Sequence, residues 1–204
     1  MEKFLSLPLE KQHGIIDAAL TCFGTIGYKK TSMNDVAAEA GISKAMVFHY
    51  FGTKKALYLY LINYCHDLVM NEIEAKFDHA LTDFFERIKQ ATNIKVAVMG
   101  KHAAVLSFLT SVYFETNEEV RRDITAILAK GEDIRNRIAL SGVDESKFKE
   151  GIDLKLLMSM LTWMAEGFTS QMSRDNKIDI EVIAREFFRS IDMLRSQFYR
   201  PEYL

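Results

Sequence analysis

The chain carries prolines only near its two ends, at Pro8 and Pro201. Proline lacks the amide hydrogen that a helix needs and clashes with the preceding turn, so its absence from almost the whole chain permits long helices. Apolar residues recur there at three- and four-residue intervals, which is typical of helices, and a strand-like alternation is not evident. We therefore predict an all-α fold of about nine helices.

Two short helices are predicted after a first long helix at 9–26. Ser32 begins the pattern Ser-x-x-Asp, a capping box that starts a helix, and Gly41 ends that helix with a residue tolerant of positive φ. Ser43 caps the next helix, which runs from Lys44 to Tyr50 or Phe51. Two short helices joined by a tight turn have the spacing of a helix-turn-helix.

The second of these helices is predicted to present an open outer face. Ile42, Val47 and Tyr50 point back into a small core, and Ala37 supplies the small residue that two crossing helices need. The residues left on the outer face are Lys44, Ala45, Met46, Phe48 and His49. That helix is therefore free to enter a major groove. Helix-turn-helix geometry also occurs in proteins that never touch DNA, so a helical adaptor remains an alternative.

Longer helices follow, and the division of the chain is predicted from them. Their spans are 54–77, 81–101, 103–115, 118–140, 152–174 and 179–198, with breaks near Lys101-His102, Thr116-Asn117, Ser141-Gly142 and Asp175-Asn176-Lys177. We predict an N-terminal three-helix DNA-binding domain at 1–53 and a larger helical effector-binding and dimerisation domain at 54–204. The helix at 54–77 connects the two.

Charge is distributed unevenly although the net charge of the 204 residues is only −2. Residues 1–60 carry seven lysines against five acids, and the rest of the chain is acidic. Lys54 and Lys55 occupy the first turn of a helix, where the helix dipole disfavours cations. They are either a solvated surface pair or groups that bind a phosphate at that helix start.

Residues 10–60 resemble the DNA-binding domain of TetR/AcrR-type regulators. The resemblance runs through Ile15-Ile16-Asp17-Ala18-Ala19, Phe23, Gly27-Tyr28, Thr31-Ser32, Val36-Ala37, Ala40-Gly41-Ile42-Ser43-Lys44, Phe48-His49-Tyr50-Phe51, Lys54 and Ala56-Leu57. Two departures matter, because the family often has tyrosine where this chain has Phe48 and a small hydroxylated residue where it has Met46. Phe48 loses a hydroxyl-to-phosphate bond, and Met46 offers only apolar contact, for example to a thymine methyl group.

The resemblance implies the roles of individual residues in this domain. Lys44, Ala45 and Met46 would lie over base edges, and Phe48 and His49 would face the backbone and groove wall. Ser32, Tyr50 and Lys54 would be the candidates for phosphate contact. The complete set of candidate DNA-binding residues is Ser32, Met33, Ser43, Lys44, Ala45, Met46, Phe48, His49, Tyr50 and Lys54. The expected partner is double-stranded DNA, bound by a repressor that a ligand releases.

The last two helices are apolar on several faces, which is typical of helices buried on several sides. The resemblance implies that they form a four-helix bundle with a second subunit, and the alternative is that they close a monomeric core. The predicted homodimer interface comprises Leu157, Leu161, Phe168, Ile183, Phe187, Ile191, Leu194 and Phe198. A two-fold dimer would place two recognition helices about 34–36 Å apart, one turn of DNA.

Methionine and aromatic residues in the second domain suit an adaptable apolar pocket, although such residues are more often plain core. The resemblance implies an effector cavity for an unknown small molecule. The candidate pocket residues are Met99, His102, Phe108, Tyr113, Met160, Trp163, Met164 and Gly167. An architectural DNA-binding protein with no effector is the alternative.

Several other classes are disfavoured by the sequence. It contains no Gly-rich phosphate loop, no His-Glu-x-x-His and no Gly-x-Ser-x-Gly, and its histidines are scattered, so we expect neither an enzyme nor a bound metal or cofactor. Cys22 and Cys65 have no paired spacing and are read as buried free thiols, with a redox switch as the alternative. The N-terminal segment does not suit a signal peptide, and no apolar stretch approaches the roughly 20 residues of a membrane span. We expect a cytoplasmic protein.

Overall fold

The computed structural model of the chain describes residues 1–174 and 179–204 and is helical almost throughout. Its helices are α1 (Glu2–Leu5), α2 (Leu9–Lys30), α3 (Met33–Glu39), α4 (Lys44–Phe51), α5 (Lys54–Lys76), α6 (Phe84–Lys101), α7 (Ala103–Tyr113), α8 (Glu118–Leu140), α9 (Leu154–Arg174) and α10 (Ile180–Phe198). Within the described ranges, extended pairing is limited to one antiparallel bridge between Phe148 and Tyr199. The all-α prediction is confirmed. The expected break at Asp175-Asn176-Lys177 lies outside the described residues.

The short helices α3 and α4 begin at the side-chain caps that the sequence predicts, and the longer α5 also begins at a side-chain cap. The Ser32 hydroxyl accepts a hydrogen bond from the Asp35 amide at 3.2 Å, and the Asp35 carboxylate accepts one from the Ser32 amide at 2.7 Å. Ser43 accepts from the Met46 amide at 3.2 Å, and Thr53 accepts from the Ala56 amide at 3.0 Å. These bonds satisfy amides that have no partner inside the helix, so they fix where α3, α4 and α5 start.

Two glycines with positive φ end helical segments, and Gly41 does so as predicted. Gly27 has a φ of 77° and interrupts α2, which resumes for one short turn, and Gly41 has a φ of 64° in the turn between α3 and α4. Backbone at such angles is strained for any residue with a Cβ atom.

The helix α1 is an element that the sequence analysis did not predict. Its Phe4 is fully buried, and the Phe4 ring lies 4.8 Å from the Phe51 ring and 5.9 Å from the Tyr50 ring, measured between centroids. This aromatic contact holds the N-terminal segment against α4. The segment ends before Pro8, and one apolar ring anchors it.

The chain forms two compact units. The first unit comprises residues 1–68 and 101–128, and the second comprises residues 69–100 and 129–204. In the first unit, Phe23, Tyr58 and Phe108 meet at the centre of an aromatic core. The functional division at residue 53 stays a prediction, since compactness alone assigns no function.

The second unit has its own core, which is organised around a buried carboxylate. Asp83 accepts a hydrogen bond from the Tyr199 hydroxyl at 3.1 Å and forms an ion pair with Lys147 at 3.0 Å. Arg195 lies 3.7 Å from the same carboxylate. Burial acts to raise the pKa of Asp83, but hydrogen bonds from the Glu86 amide, Lys147 and the Tyr199 hydroxyl hold that pKa below its usual range. The end of the chain is thereby attached to the start of α6.

Two further properties concern the described residues only. In those residues no single helix is long and apolar enough to cross a membrane. The helices α6 and α7 reach that length and composition only when they are counted together across the break at residue 102. The same residues contain no group of three or more His, Cys, Asp or Glu side chains arranged to hold a metal ion.

Candidate nucleic-acid interface

The helix α4 has one buried face and one exposed face. Val47 and Phe51 are buried in the core of the first unit, and Ile42 before the helix packs against that core. The opposite face exposes Lys44, Ala45, Met46, Phe48 and His49. Because the buried residues fix the rotation of the helix, the exposed side chains share one surface. Their contact with DNA stays a prediction.

The residues at the helix starts lie beside this surface. Ser32 and Ser43 are exposed, and each uses its hydroxyl to cap its own helix. The hydrogen bonds from Ser32 lower the pKa of Asp35, so the capping carboxylate stays ionised at neutral pH. Lys44 lies with its ammonium group 5.9 Å from the Phe48 ring centroid. The exposed surface therefore combines one lysine, one histidine, two hydroxyl groups and apolar side chains.

Two of the ten predicted DNA-binding residues face the interior. Met33 packs beneath α3 in the core of the first unit, and Tyr50 packs against Phe4. Both side chains are more than nine-tenths buried. The side chain of Met33 therefore belongs to the core, as its place among the apolar residues of α3 requires. The Tyr50 ring is also buried, so at most its edge is available for contact with DNA.

Lys54 and Lys55 both have partners within the first unit. The Lys54 ammonium lies 4.4 Å from the Tyr28 ring centroid and donates a hydrogen bond to the Lys29 carbonyl at 3.4 Å. Lys55 forms an ion pair with Asp123 at 2.7 Å. A phosphate contact by Lys54 would require its ammonium to leave the Tyr28 ring or to bridge ring and phosphate.

Glu115 has a structural role that the sequence pattern did not indicate. One carboxylate oxygen accepts a hydrogen bond from the Tyr28 amide at 3.1 Å, directly after the Gly27 kink. The other accepts from the Thr116 and Asn117 amides at 3.0 and 2.8 Å. Glu115 thus joins the end of α2 to the loop between α7 and α8. No local sequence signal marks a contact between residues 87 positions apart.

The contact between α2 and α7 is also unusually close. A Cβ atom placed on Gly24 would lie 2.9 Å from the Phe108 amide nitrogen and 2.9 Å from the Ser107 hydroxyl oxygen. Only glycine permits this approach of the two backbones. The helix α4 therefore belongs to a compact unit in which α7 is packed against α2.

The candidate effector residues fall into both units. In the first unit Phe108 belongs to the core, whereas His102 and Tyr113 are exposed. The second unit contains the other five, of which Met99 and Met164 are partly buried and Met160, Trp163 and Gly167 are exposed. Exposure of Trp163 is 62%, which is high for a large apolar side chain. The pocket assignment stays a prediction.

The candidate dimer residues lie mostly inside the chain. Leu157, Leu161, Ile183, Phe187 and Ile191 are buried in the second unit, and Phe168, Leu194 and Phe198 pack against the same core. Buried side chains have no free surface to offer a partner. The apolar residues that α9 exposes are instead Leu156, Met160 and Trp163. Five of the predicted residues therefore face the core, whereas Phe168, Leu194 and Phe198 stay partly exposed. The dimer assignment stays a prediction.

The sequence profile described as "Bacterial regulatory proteins, tetR family" matches residues 15–61, which span α2 to α5 and include both short helices. The chain belongs to the TetR family of transcriptional regulators. The structure and this match confirm the predicted helix-turn-helix, and a DNA-binding transcriptional regulator is the class of protein to which this TetR-family chain belongs.

Three relatives of this TetR-family chain are informative. It is 24% identical over 181 residues to the fatty acid metabolism regulator protein of Bacillus subtilis (strain 168), covering 83% of this chain and 88% of that relative. It is 37% identical over 59 residues to IcaR, the negative transcriptional regulator of the biofilm operon icaADBC in Staphylococcus aureus (strain Newman), covering 29% of this chain and 32% of IcaR. The transcriptional regulator FadR from Bacillus subtilis, solved in complex with stearoyl-CoA, matches with a TM-score of 0.70 at 19% identity, covering 88% of this chain and 96% of that chain. All three are named as regulators.

Proposed function

We propose that this TetR-family regulator is a cytoplasmic homodimer that represses transcription by binding a palindromic operator through α4, and that a small apolar or amphipathic effector releases it. The observation that carries the DNA-binding part is the exposed face of α4. A helix anchored by Val47 and Phe51 and open on the opposite side has the shape required to enter a major groove. The name of IcaR as a negative regulator supports repression.

The residues proposed for DNA contact are those that the first unit leaves exposed. Lys44, at the start of α4, is the one cation on the exposed face of that helix and the candidate for guanine readout. Met46 and Phe48 offer apolar contact, for example to thymine methyl groups. Because α4 contains no arginine, much of the specificity is proposed to come from DNA shape and from half-site spacing.

The proposed dimer uses the exposed stripe of α9, and this role replaces the pocket role predicted from the sequence for Met160, Trp163 and Gly167. Leu156, Met160, Trp163 and Gly167 recur at intervals of four, three and four residues, so they lie along one side of the helix. Exposure of Leu156 is 52% and that of Trp163 is 62%. A continuous apolar stripe of this kind is typical of a surface that another protein covers. A second copy placed there by a two-fold axis would pair the stripe with itself.

The effector is proposed to act by population shift. Effector and operator would favour different relative orientations of the two α4 helices of the dimer, with a coupling free energy of about 1–3 kcal/mol. The relative solved with stearoyl-CoA supports an effector with a long apolar part. An architectural protein without an effector is the competing proposal, and it predicts that no ligand changes operator affinity.

The DNA-binding part is tested by fluorescence anisotropy with DNA flanking the chain's own gene. We expect salt-dependent binding, and Lys44→Ala should weaken specific binding by about 1–3 kcal/mol while reducing discrimination between operator variants. Lys155→Ala is the matched control, because Lys155 is an exposed lysine on α9. Equal affinity of wild type and Lys44→Ala for every sequence would contradict the role of α4.

A further inference from the structure

One carboxylate fastens the backbone that follows the interruption of α2. The Tyr28 amide donates a hydrogen bond to one oxygen of Glu115 at 3.1 Å, directly after Gly27, where φ is 77°. The other oxygen of Glu115 accepts from the Thr116 and Asn117 amides at 3.0 and 2.8 Å, so both ends of the carboxylate are held. This contact from the loop between α7 and α8 therefore sets where the Tyr28 backbone lies.

The Tyr28 ring is enclosed by aromatic side chains and by one cation. Its centroid lies 4.8 Å from that of Tyr58 and 6.2 Å from that of Phe23. The Lys54 ammonium lies 4.4 Å from the ring centroid, a distance at which a cation is attracted to an aromatic ring. The same ammonium donates to the Lys29 carbonyl at 3.4 Å. The ring and the carbonyl thereby hold the end of a flexible side chain in one place.

Lys54 differs in one respect from the lysine beside it. Lys55 forms an ion pair with Asp123 at 2.7 Å, so its charge is already balanced. Lys54 forms no ion pair within the part of the chain that the structure describes. An ammonium group has three hydrogen atoms to donate, and the bond to the Lys29 carbonyl uses one of them. Lys54 can therefore bind a phosphate oxygen without leaving the Tyr28 ring.

We propose that Glu115 is a positioning residue for DNA binding: it fixes Tyr28, and the Tyr28 ring holds the Lys54 ammonium where a phosphate of the operator meets the start of α5. Lysine loses rotamer freedom when it binds, and a side chain that is already held loses less. The inference rests on the proposed function, because Lys54 meets that phosphate only when α4 lies in the major groove. It gives a part in DNA binding to a loop outside the helix-turn-helix.

Electrostatics alone predicts the opposite effect of removing Glu115. An acidic group opposes the binding of a polyanion, so its loss would strengthen binding. The positioning role instead predicts that Glu115→Ala weakens binding to DNA flanking the chain's own gene by about three- to tenfold, part of the loss expected for a charged hydrogen bond. Glu118→Ala is the matched control, because Glu118 is an exposed carboxylate that pairs with Arg121 on α8. That variant should bind DNA at least as tightly as wild type.

A double-mutant cycle, measured by fluorescence anisotropy, separates positioning from a general structural role. Lys54→Ala should weaken binding by about tenfold and lower the salt slope by about one, because one phosphate contact is lost. In the Lys54→Ala background, Glu115→Ala should cause no further weakening, since residues that act through one contact are not additive. Glu115→Gln keeps one acceptor oxygen and should lie between wild type and Glu115→Ala. Lys55→Ala removes the same charge from the ion-paired neighbour and should weaken binding less than Lys54→Ala.

Nuclear magnetic resonance tests the same geometry without DNA. The methylene protons next to the Lys54 ammonium should be shifted upfield by the ring current of Tyr28, because the ammonium lies 4.4 Å from the ring centroid. Glu115→Ala should reduce this shift, and Glu118→Ala should leave it unchanged. Urea unfolding verifies that each variant folds.

Failure of the positioning role and failure of the proposed function give different results. The positioning role is overturned if Glu115→Ala binds DNA as tightly as wild type, if it weakens binding equally with and without Lys54, or if the Lys54 shift does not respond to it. A wild-type protein that binds no DNA contradicts the proposed function, and the Lys54 shift then still decides whether Glu115 holds Lys54 on the ring. DNA binding that depends on Lys44 but not on Glu115 overturns the positioning role alone.

Discussion

The ammonium group of Lys95 carries a free-energy cost that depends on pH. Burial and the charge of Arg135 lower its pKa to about 8 in the folded chain, below the ordinary value of about 10.4. Between those values the unfolded chain binds a proton that the folded chain lacks, so the free energy of unfolding rises with pH there; below pH 8 the full cost is present. We expect Lys95→Met to be more stable than wild type at pH 7 by about 1–3 kcal/mol, with the gap closing by about pH 10.

Urea unfolding of both proteins at pH 7, 8.5 and 10 measures this gap. Tyr28, Tyr58 and Tyr199, whose pKa burial raises, act equally in both proteins and cancel in the difference. Lys130→Met, which removes an exposed lysine of α8, should show a gap that does not vary with pH. A constant gap for Lys95→Met, or a variant less stable than wild type at pH 7, would show that Lys95 is not destabilised by its surroundings.

The two cysteines are expected to differ in reactivity. Burial raises the pKa of Cys65 to about 12, and burial together with Glu39 and Asp35 raises the pKa of Cys22, which is only partly buried. Because the thiolate is the reactive form, iodoacetamide at pH 8 should leave Cys65 unmodified in the folded protein and modify Cys22 slowly. Mass spectrometry measures both, and in urea both should react at similar rates. Fast labelling of Cys65 in the folded protein would contradict its burial.

Side chains were predictable where a local pattern determines them. The outward direction of Lys44 and Phe48 follows from the apolar positions 42, 47 and 50. These buried positions determine the rotation of the helix and therefore the direction of its other side chains. Glu115 could not be predicted in this way. Its surroundings are built from residues far away in sequence, and no spacing rule relates position 115 to 28.

At the level of elements, the crossing of α2 and α7 depends on one glycine. Gly24→Ala would place a Cβ atom 2.9 Å from the Phe108 amide nitrogen, which is backbone and moves only with its helix. We expect Gly24→Ala to destabilise the protein by about 1–3 kcal/mol through overpacking. Thermal or urea unfolding followed by circular dichroism measures the change.

Gly14→Ala is the matched control for this prediction, since Gly14 lies in the same helix with nothing within 4 Å of its Cβ position. Alanine there should be neutral or should stabilise the protein by about 0.5–1 kcal/mol, because glycine weakens a helix. Equal effects of the two substitutions would mean that α2 and α7 separate without cost.

Element boundaries were predictable wherever a cap or a glycine marks them. Ser32, Ser43 and Thr53 start their helices through side-chain bonds, and Gly27 ends the regular part of α2. The short α1 carries no such signal, because its place depends on Phe4 packing against Phe51. Helical periodicity also marked two apolar stripes on α9 without indicating which one the chain itself buries, since that depends on α10 and α6.

The whole molecule is proposed to act as a dimer, and α9 explains why. An operator with two half-sites requires two copies of α4, and a single short recognition helix makes few contacts. Leu156, Met160 and Trp163 leave an apolar surface that a monomer would expose to water at a cost that grows with its area. Covering this surface with a second copy would remove that cost and bring two copies of α4 into one molecule.

Sedimentation equilibrium tests this dimer with Trp163→Asp. In the dimer, a charge at the centre of the stripe would be buried without a partner, which costs several kcal/mol. The two-fold axis would also bring the two copies of this charge together. We expect wild type at twice the chain mass and the variant at the chain mass at micromolar concentration, with weaker operator binding. Leu128→Asp, at an exposed apolar residue on α8, should remain dimeric. A Trp163→Asp protein that is still a dimer would place the subunit contact on another surface.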